Sequence, residues 1–373
     1  MFYNIQICLK IFTFMGVNPF HHKNFSQKFM YLFNLSLAAF SGYLCVLQFV
    51  NQEFTSMEEV ILRIEPFEMF TNLFVKSSAV FLNHNVAKSL ILDTKLFWSV
   101  EDCPYSTERK TGLLWYKVSK FLALWYPGLG VVSAISNVIL TLKDKVLPFS
   151  TFVPESPPYW VLHVLQDYSF LTVTVGAQMF DVFFATLMMM VVIQWRMFNR
   201  ELVKMLETKV DTKEERILFK HQIQKLVDYH NFLRGYVERI NKLMAYVNLE
   251  MITLVVVTYC VSLFVILICA PDDALTRIAL LFLYTNEFLL FYILPAQLLT
   301  SEAENTERCA YGSSWYESGM DLKKPILLMI SSISKRPVYI SAARIFNFTF
   351  ATGLSTYKLI FSYYTFLSKM DAK

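Results

Sequence analysis

The strongest constraint on this chain is a set of apolar runs free of charge, each long enough to cross a bilayer as one helix. No Asp, Glu, Lys or Arg lies between Lys28 and Glu53, or between Lys120 and Lys143. About 20 apolar residues span the hydrocarbon, where only a helix satisfies its own backbone groups. These two runs predict span one over 29–50 and span three between the two lysines. Span four, 168–195, contains only Asp181; span five lies between Glu250 and Asp272; span six, 278–299, contains only Glu287. Span two, 60–82, is interrupted by Arg63, Glu65, Glu68 and Lys76 but carries Phe67, Phe70, Phe74 and Phe81. The seventh, 338–367, carries Arg344 and Lys358.

Composition agrees. Charged residues make up 17% of the chain, against roughly a quarter in a soluble domain. The surplus apolar surface predicts an all-α membrane protein with one membrane domain, 1–373. A net charge of +4, dispersed along the chain, does not suit a nucleic-acid partner. The six cysteines form no CxxC pair and have no His at metal-ligand spacing, so no metal, cofactor or disulfide framework is expected.

Orientation follows from Lys and Arg in the connections. The N-terminus and the second, fourth and sixth connections hold twenty-four; the opposite side, span edges included, holds six. This predicts a cytosolic N-terminus and, after seven spans, an extracellular C-terminus. Of three glycosylation sequons, Asn24 lies in the N-terminal segment and Asn34 and Asn347 lie in spans one and seven, so none falls in an outer loop.

The fourth connection is patterned. Leu226, His230, Leu233, Val237, Ile240, Met244 and Val247 alternate at spacings of four and three, a seam running into span five. Span five should therefore extend into the cytosol as one long helix, with the seam either packed within the chain or used for self-association. Residues 302–334 combine Tyr311, Trp315, Tyr316 and Ile326 with charged positions and read as amphipathic helix. Segments 196–242 and 302–337 are thus expected to form a cytosolic bundle, with breaks at Pro325 and Pro337.

No GxxxxGK[ST], GxGxxG, HExxH or GxSxG motif is present, and no enzymatic activity is expected. Asp181 and Glu287 read as isolated carboxyls hydrogen-bonded between helices rather than as an ion site. His163 and His230 lack sequence partners and read as packing or solvated residues. In the last span, Arg344, Asn347, Ala351, Ser355, Lys358, Ser362, Thr365 and Lys369 recur at spacings of three and four, a polar stripe that lipid does not accommodate. It packs on another helix of the chain or lines water between subunits.

CAYGSSWY at 309–316, KKPILLMI at 323–330, KRPVYISAARIFNFTF at 335–350 and FSYYTFL at 361–367 resemble the C-terminal signature of insect odorant receptors. Length, seven spans and orientation agree with it. The related gustatory receptors carry TYxxxxxQF, whereas here Thr356-Tyr357 is followed after five residues by Tyr363-Tyr364. A seven-helix G-protein-coupled receptor is the other alternative, but no DRY or NPxxY motif is found and the orientation is opposite. A transporter would show inverted repeats and broken helices.

The resemblance implies an odorant-gated, nonselective cation channel in the plasma membrane of a sensory neuron dendrite. It implies a heterotetramer with a co-receptor, and the short fourth connection matches a ligand-tuning subunit. It also implies a pocket for a small volatile odorant among the outer halves of spans two, three, four and six. Depth and chemistry single out Phe67, Phe70, Phe74, Ser133, Ser136, Leu140, Phe170, Thr174, Tyr284 and Phe288, each of which could equally serve helix packing or lipid contact. Permeant cations are expected to pass Ser362, Thr365, Phe366 and Lys369 on the last helix, 338–368. Tyr311, Trp315 and Tyr316 are expected to anchor the subunits.

Overall fold

A computed structural model describes residues 2–51, 57–144, 146–149, 151–153, 158–208, 210, 212–268, 271–313, 315–317, 320–334 and 337–371. Among the described residues, the regular structure is helical except for one short hairpin. α1 (Phe2–Met15) leads into α2 (Phe25–Asn51), α3 (Met57–Leu82), α4 (His84–Asp93) and α5 (Ser106–Asp144). Two long rods follow, α6 (Tyr159–Glu207) and α7 (Lys213–Ile268). α8 (Pro271–Glu287) passes through a π-helical turn, Phe288–Ile293, into α9 (Leu294–Tyr311), and α10 (Met320–Ser334) comes next. Strands β1 (Ser341–Ala342) and β2 (Phe346–Asn347) pair antiparallel before α11 (Phe350–Asp371).

α6 is the hub, touching α1, α2, α3, α5, α7 and α9. Phe180 to Trp195 of this helix are buried on every face, as expected of a helix that is apolar all round and encircled. α1, over a segment the sequence left unassigned, inserts beside it. Ile5, Cys8, Phe12 and Met15 recur one turn apart and are all buried, with Phe12 stacked on Phe180 at 4.6 Å. A Cβ on Gly176 would lie 2.4 Å from the Met15 methyl, so α1 seats where Gly176 leaves α6 without a side chain. The turn into α2 uses Gly16 at φ +79°, where any Cβ would strike the α2 backbone. Asn34 is buried, donating to the Met15 carbonyl and accepting from Tyr168, which fits its absence from an outer loop.

The lower halves of α6 and α7 form the bundle that the seam predicted. α7 is one helix, and Leu226, His230, Leu233, Val237, Ile240, Met244 and Val247 are all buried within the chain. Gln194 ties the chain after α4 to both rods, accepting from the Trp98 backbone at 2.9 Å and from the Tyr229 hydroxyl at 2.7 Å. Trp195 donates to Thr306, Asn199 to the Glu302 carbonyl, and Arg196 pairs with Glu302. Segments 196–242 and 302–337 therefore do meet. Pro325 does not break α10, since losing one backbone bond is tolerable where Ile326, Met329 and Ile330 bury the following turns. The helix stops before Pro337.

Among the described residues, five helices are long and apolar enough to cross a membrane: α2, α5, α6, α7 and the rod containing α9. α3 and α11 are not among them; their side chains are described only over 66–82 and 350–365, each short of a full crossing.

Candidate ligand and conduction sites

Two of the predicted pocket residues, Phe70 of α3 and Phe170 of α6, are brought together through Phe149, with Thr174 one turn further along α6. Phe70 meets Phe149 edge-on at 4.8 Å, and Phe149 meets Phe170 at 5.7 Å. Thr174, one turn from Phe170, donates its hydroxyl to the Phe170 carbonyl. Gln166 fixes the intervening segment, accepting from the Phe149 backbone N–H at 3.1 Å and donating to Thr151 at 2.8 Å. Phe149 was not foreseen because it lies in a connection with no periodicity; its one signal is the aromatic after Pro148. Nearby, His163 Nδ1 lies 2.8 Å from Asp167, correcting the expectation that it lacks a partner.

The other predicted residues do not join this cluster. Ser133, Ser136 and Leu140 are exposed on the outer face of α5, and Phe67 and Phe74 are exposed on α3. α5 lays its small residues on the hub instead: Ala123, Pro127, Gly130, Ala134 and Thr141 recur at helical spacing and are buried. Small residues permit close helix approach, so they decided which face turned inward, a signal that depth alone does not carry. Tyr284 is half-buried against the core. Phe288 is buried with Phe348 and Tyr357, where it helps seat the last helix.

Asp181 and Glu287 are not isolated. Lys76 of α3, fully buried, reaches Asp181 at 2.7 Å and Glu287 at 3.7 Å, and Tyr292 donates to Asp181. Three elements thus converge on one ammonium, at the π-helical turn that swings Tyr292 inward. A lone charge here would be very costly, whereas a paired and hydrogen-bonded set is tolerable. That pairing explains how α3 holds a lysine at this depth.

α11 starts twelve residues later than the span predicted from 338. Thr349 caps it by accepting from the Thr352 N–H at 3.1 Å, and Gln297 accepts from the Phe350 N–H. Arg344 and Asn347 consequently belong to the hairpin and not to the helical stripe. Ala343 and Arg344 both have positive φ, 48° and 63°, a conformation costing roughly 1–2 kcal/mol per residue for side chains other than Gly or Asn. From Ala351 onward the stripe is real. Ala351, Ser355, Lys358, Ser362 and Thr365 are all exposed, while the opposite face, Gly353, Thr356 and Ile360, is buried against α7 and the π-helical turn. Among the described residues, none covers the polar face. The side chains of Phe366 and Lys369 lie outside the described residues.

A family model described as 7tm Odorant receptor matches residues 56–361. The chain belongs to the 7tm odorant receptor family. Odorant receptor 10 of Aedes albopictus is 22% identical over 230 residues, and the chain spans 60% of the length of that curated relative. The olfactory receptor OR5 from Machilis hrabei has the same fold, with a TM-score of 0.78 at 14% identity over 93% of this chain and 90% of that one. Its complex with eugenol gives 0.77 at 13% identity over 99% and 98%. Membership places the chain among multi-pass membrane receptors rather than enzymes. In this odorant receptor family member, Tyr311 and Tyr316 are exposed at the end of the bundle formed by α9 and α10. Trp315 between them is half-buried, donating to the Tyr311 carbonyl at 3.3 Å.

Proposed function

We propose that this chain is the ligand-tuning subunit of an odorant-gated, nonselective cation channel, assembled with a co-receptor as a heterotetramer in the plasma membrane of a sensory dendrite. The observation that carries this reading is the polar face of α11, uncovered among the described residues and flanked by Leu354, Phe361, Leu359 and Tyr363. Lipid is a poor neighbour for such a face; water between subunits is a good one. α2, α3, α5, α6, α7, the α8–α9 rod and α11 serve as the seven spans, with the N-terminus cytosolic and the C-terminus outside. Pairing of Lys76 makes α3 acceptable as a span. Phe70, Phe149, Phe170 and Thr174 bound the odorant site, where aromatic rings gather beside few polar groups. Tyr311, Trp315 and Tyr316 contact neighbouring subunits.

Recording currents against a panel of volatiles, with and without the co-receptor, tests the reading. Odorant-evoked cation current that requires both subunits is expected. Responses that persist without the co-receptor and require a G protein would overturn it, as would a C-terminal tag inaccessible on unpermeabilised cells.

A further inference from the structure

A cavity of about 740 Å³ lies apart from these sites, where α7 meets the β1–β2 hairpin. Its walls carry three cations, Arg234, Lys242 and Arg344, against one carboxylate, Glu238, with Tyr246 and Tyr339 beside them. α7 has no charged residue from Met251 to Ile268, so the cavity begins within about two turns of the edge of the hydrocarbon. Tyr246, exposed, and Tyr339 suit that depth, where amphipathic rings concentrate.

The cavity is built rather than incidental. Asn241 donates to the Tyr339 carbonyl at 2.7 Å and accepts from the Ser341 N–H at 2.9 Å; Asn248 donates to the Ser341 carbonyl at 3.0 Å. The Ala343 N–H donates to the Ala245 carbonyl at 3.1 Å, fastening the hairpin tip to α7. The turn then holds Arg344 in a left-handed backbone conformation on the cavity's rim, where a strained non-glycine residue often marks a functional position.

We propose that this cavity binds a phosphorylated headgroup, a polyanion bearing at least one phosphomonoester. Guanidinium groups match phosphate oxygens with paired hydrogen bonds, and basic pockets at helix ends beside the membrane take such headgroups. The bound anion braces the hairpin from which α11 departs through the buried Phe348. The chemistry is independent of the function proposed above; only the leaflet, cytosolic, rests on that orientation.

The full-length chain, purified with its partner subunits, is placed in phosphatidylcholine nanodiscs with or without labelled phosphatidylinositol bisphosphate. Inositol trisphosphate serves as the soluble arm. Arg344→Asn removes the cation while tolerating the left-handed backbone, and Lys242→Gln lies at an exposed helical position, so both variants should fold; thermal melting checks this. Each should weaken binding about fivefold, and the pair about 25-fold. Binding of the lipid alone identifies a membrane headgroup as the ligand, and equal binding of inositol trisphosphate identifies a soluble phosphate ester. Wild-type binding no greater than to phosphatidylcholine, or unchanged binding in the folded double variant, overturns the site. Loss of subunit co-purification with lipid binding intact makes this face a subunit contact and overturns it as well.

Discussion

α5 and α11 are both half-uncovered on the outside of the same bundle, and their exposed faces differ: α5 shows no charge between Lys120 and Lys143, whereas α11 runs a polar stripe with Lys358 through an apolar surface. α5 turns its small residues toward the hub and shows Val132, Ile135, Ile139 and Leu142 outward. α11 buries Gly353, Thr356 and Ile360 and shows Ser355, Lys358, Ser362 and Thr365. On the function proposed above, lipid meets the first face and water between subunits meets the second. The hub marks the other extreme: 89% of the most apolar stretch of α6 is buried, against 22% for α5. Substitutions in the hub should therefore act on folding, those on α5 on nothing but lipid contact, and those on α11 on conduction.

The largest effect is expected in the hub's ion cluster. Lys76→Met leaves Asp181 and Glu287 buried without their cation and should cost about 3–5 kcal/mol, seen as loss of folded receptor in size-exclusion profiles. Adding Asp181→Asn should recover part of the yield; equal recovery of Lys76→Met and wild type would mean the cluster is solvated.

Tryptophans on the two kinds of helix give a matched pair. Trp195→Ala empties a fully buried site and breaks the bond to Thr306, at about 3–5 kcal/mol in thermal melting. Trp125→Ala on the exposed face of α5 should stay within about 0.5 kcal/mol. Similar losses at both positions would break the distinction between hub and flank.

A smaller effect is expected with pH. Burial against Trp195 and Phe198, with Arg234 nearby, pushes His230 down to about 4 from 6.5. The unfolded chain then takes up this proton before the folded one does. Stability is retained above pH 6.5, falls as pH drops toward 4, and changes no further below that on account of this group. His230→Gln should flatten the difference in melting temperature between pH 7 and pH 4; an unchanged slope would show that His230 is hydrated.

Much of this was legible in the sequence. Runs with no charge, or with Asp181 alone in α6, located α2, α5, α6 and the C-terminal part of α7, because hydrocarbon imposes a length and a composition on any helix that crosses it. The a/d seam gave the continuous α7, since heptad spacing survives whatever lies opposite it. Interrupted elements were harder. The expected start of the last helix at 338 missed the hairpin, since 339–348 is mostly apolar and its Arg344 and Asn347 fall at helical spacing with the stripe that follows. The pairing of Lys76 with Asp181 joins residues 105 positions apart, a distance over which no local pattern reports. Phe70 and Phe170, singled out by depth and chemistry, both lie against Phe149. Phe149 itself was not singled out, because a pinned connection carries no period, and Ser133, Ser136 and Leu140 were assigned inward when the small-residue stripe at Ala123, Gly130 and Ala134 turned the other face to α6.

The central claim is that α11 lines the conduction path with its polar face, and cysteine accessibility at Thr365 tests it most directly. Thr365 is exposed, one turn from Ser362 along the stripe. In complexes with the co-receptor, Thr365→Cys should react with a positively charged thiol reagent applied from outside, and the reaction should alter the current more when odorant is present than when it is absent. If Thr365→Cys reaches the surface in functional complexes and the reagent changes neither current nor ion selectivity, with or without odorant, the polar face packs against protein and the claim is contradicted.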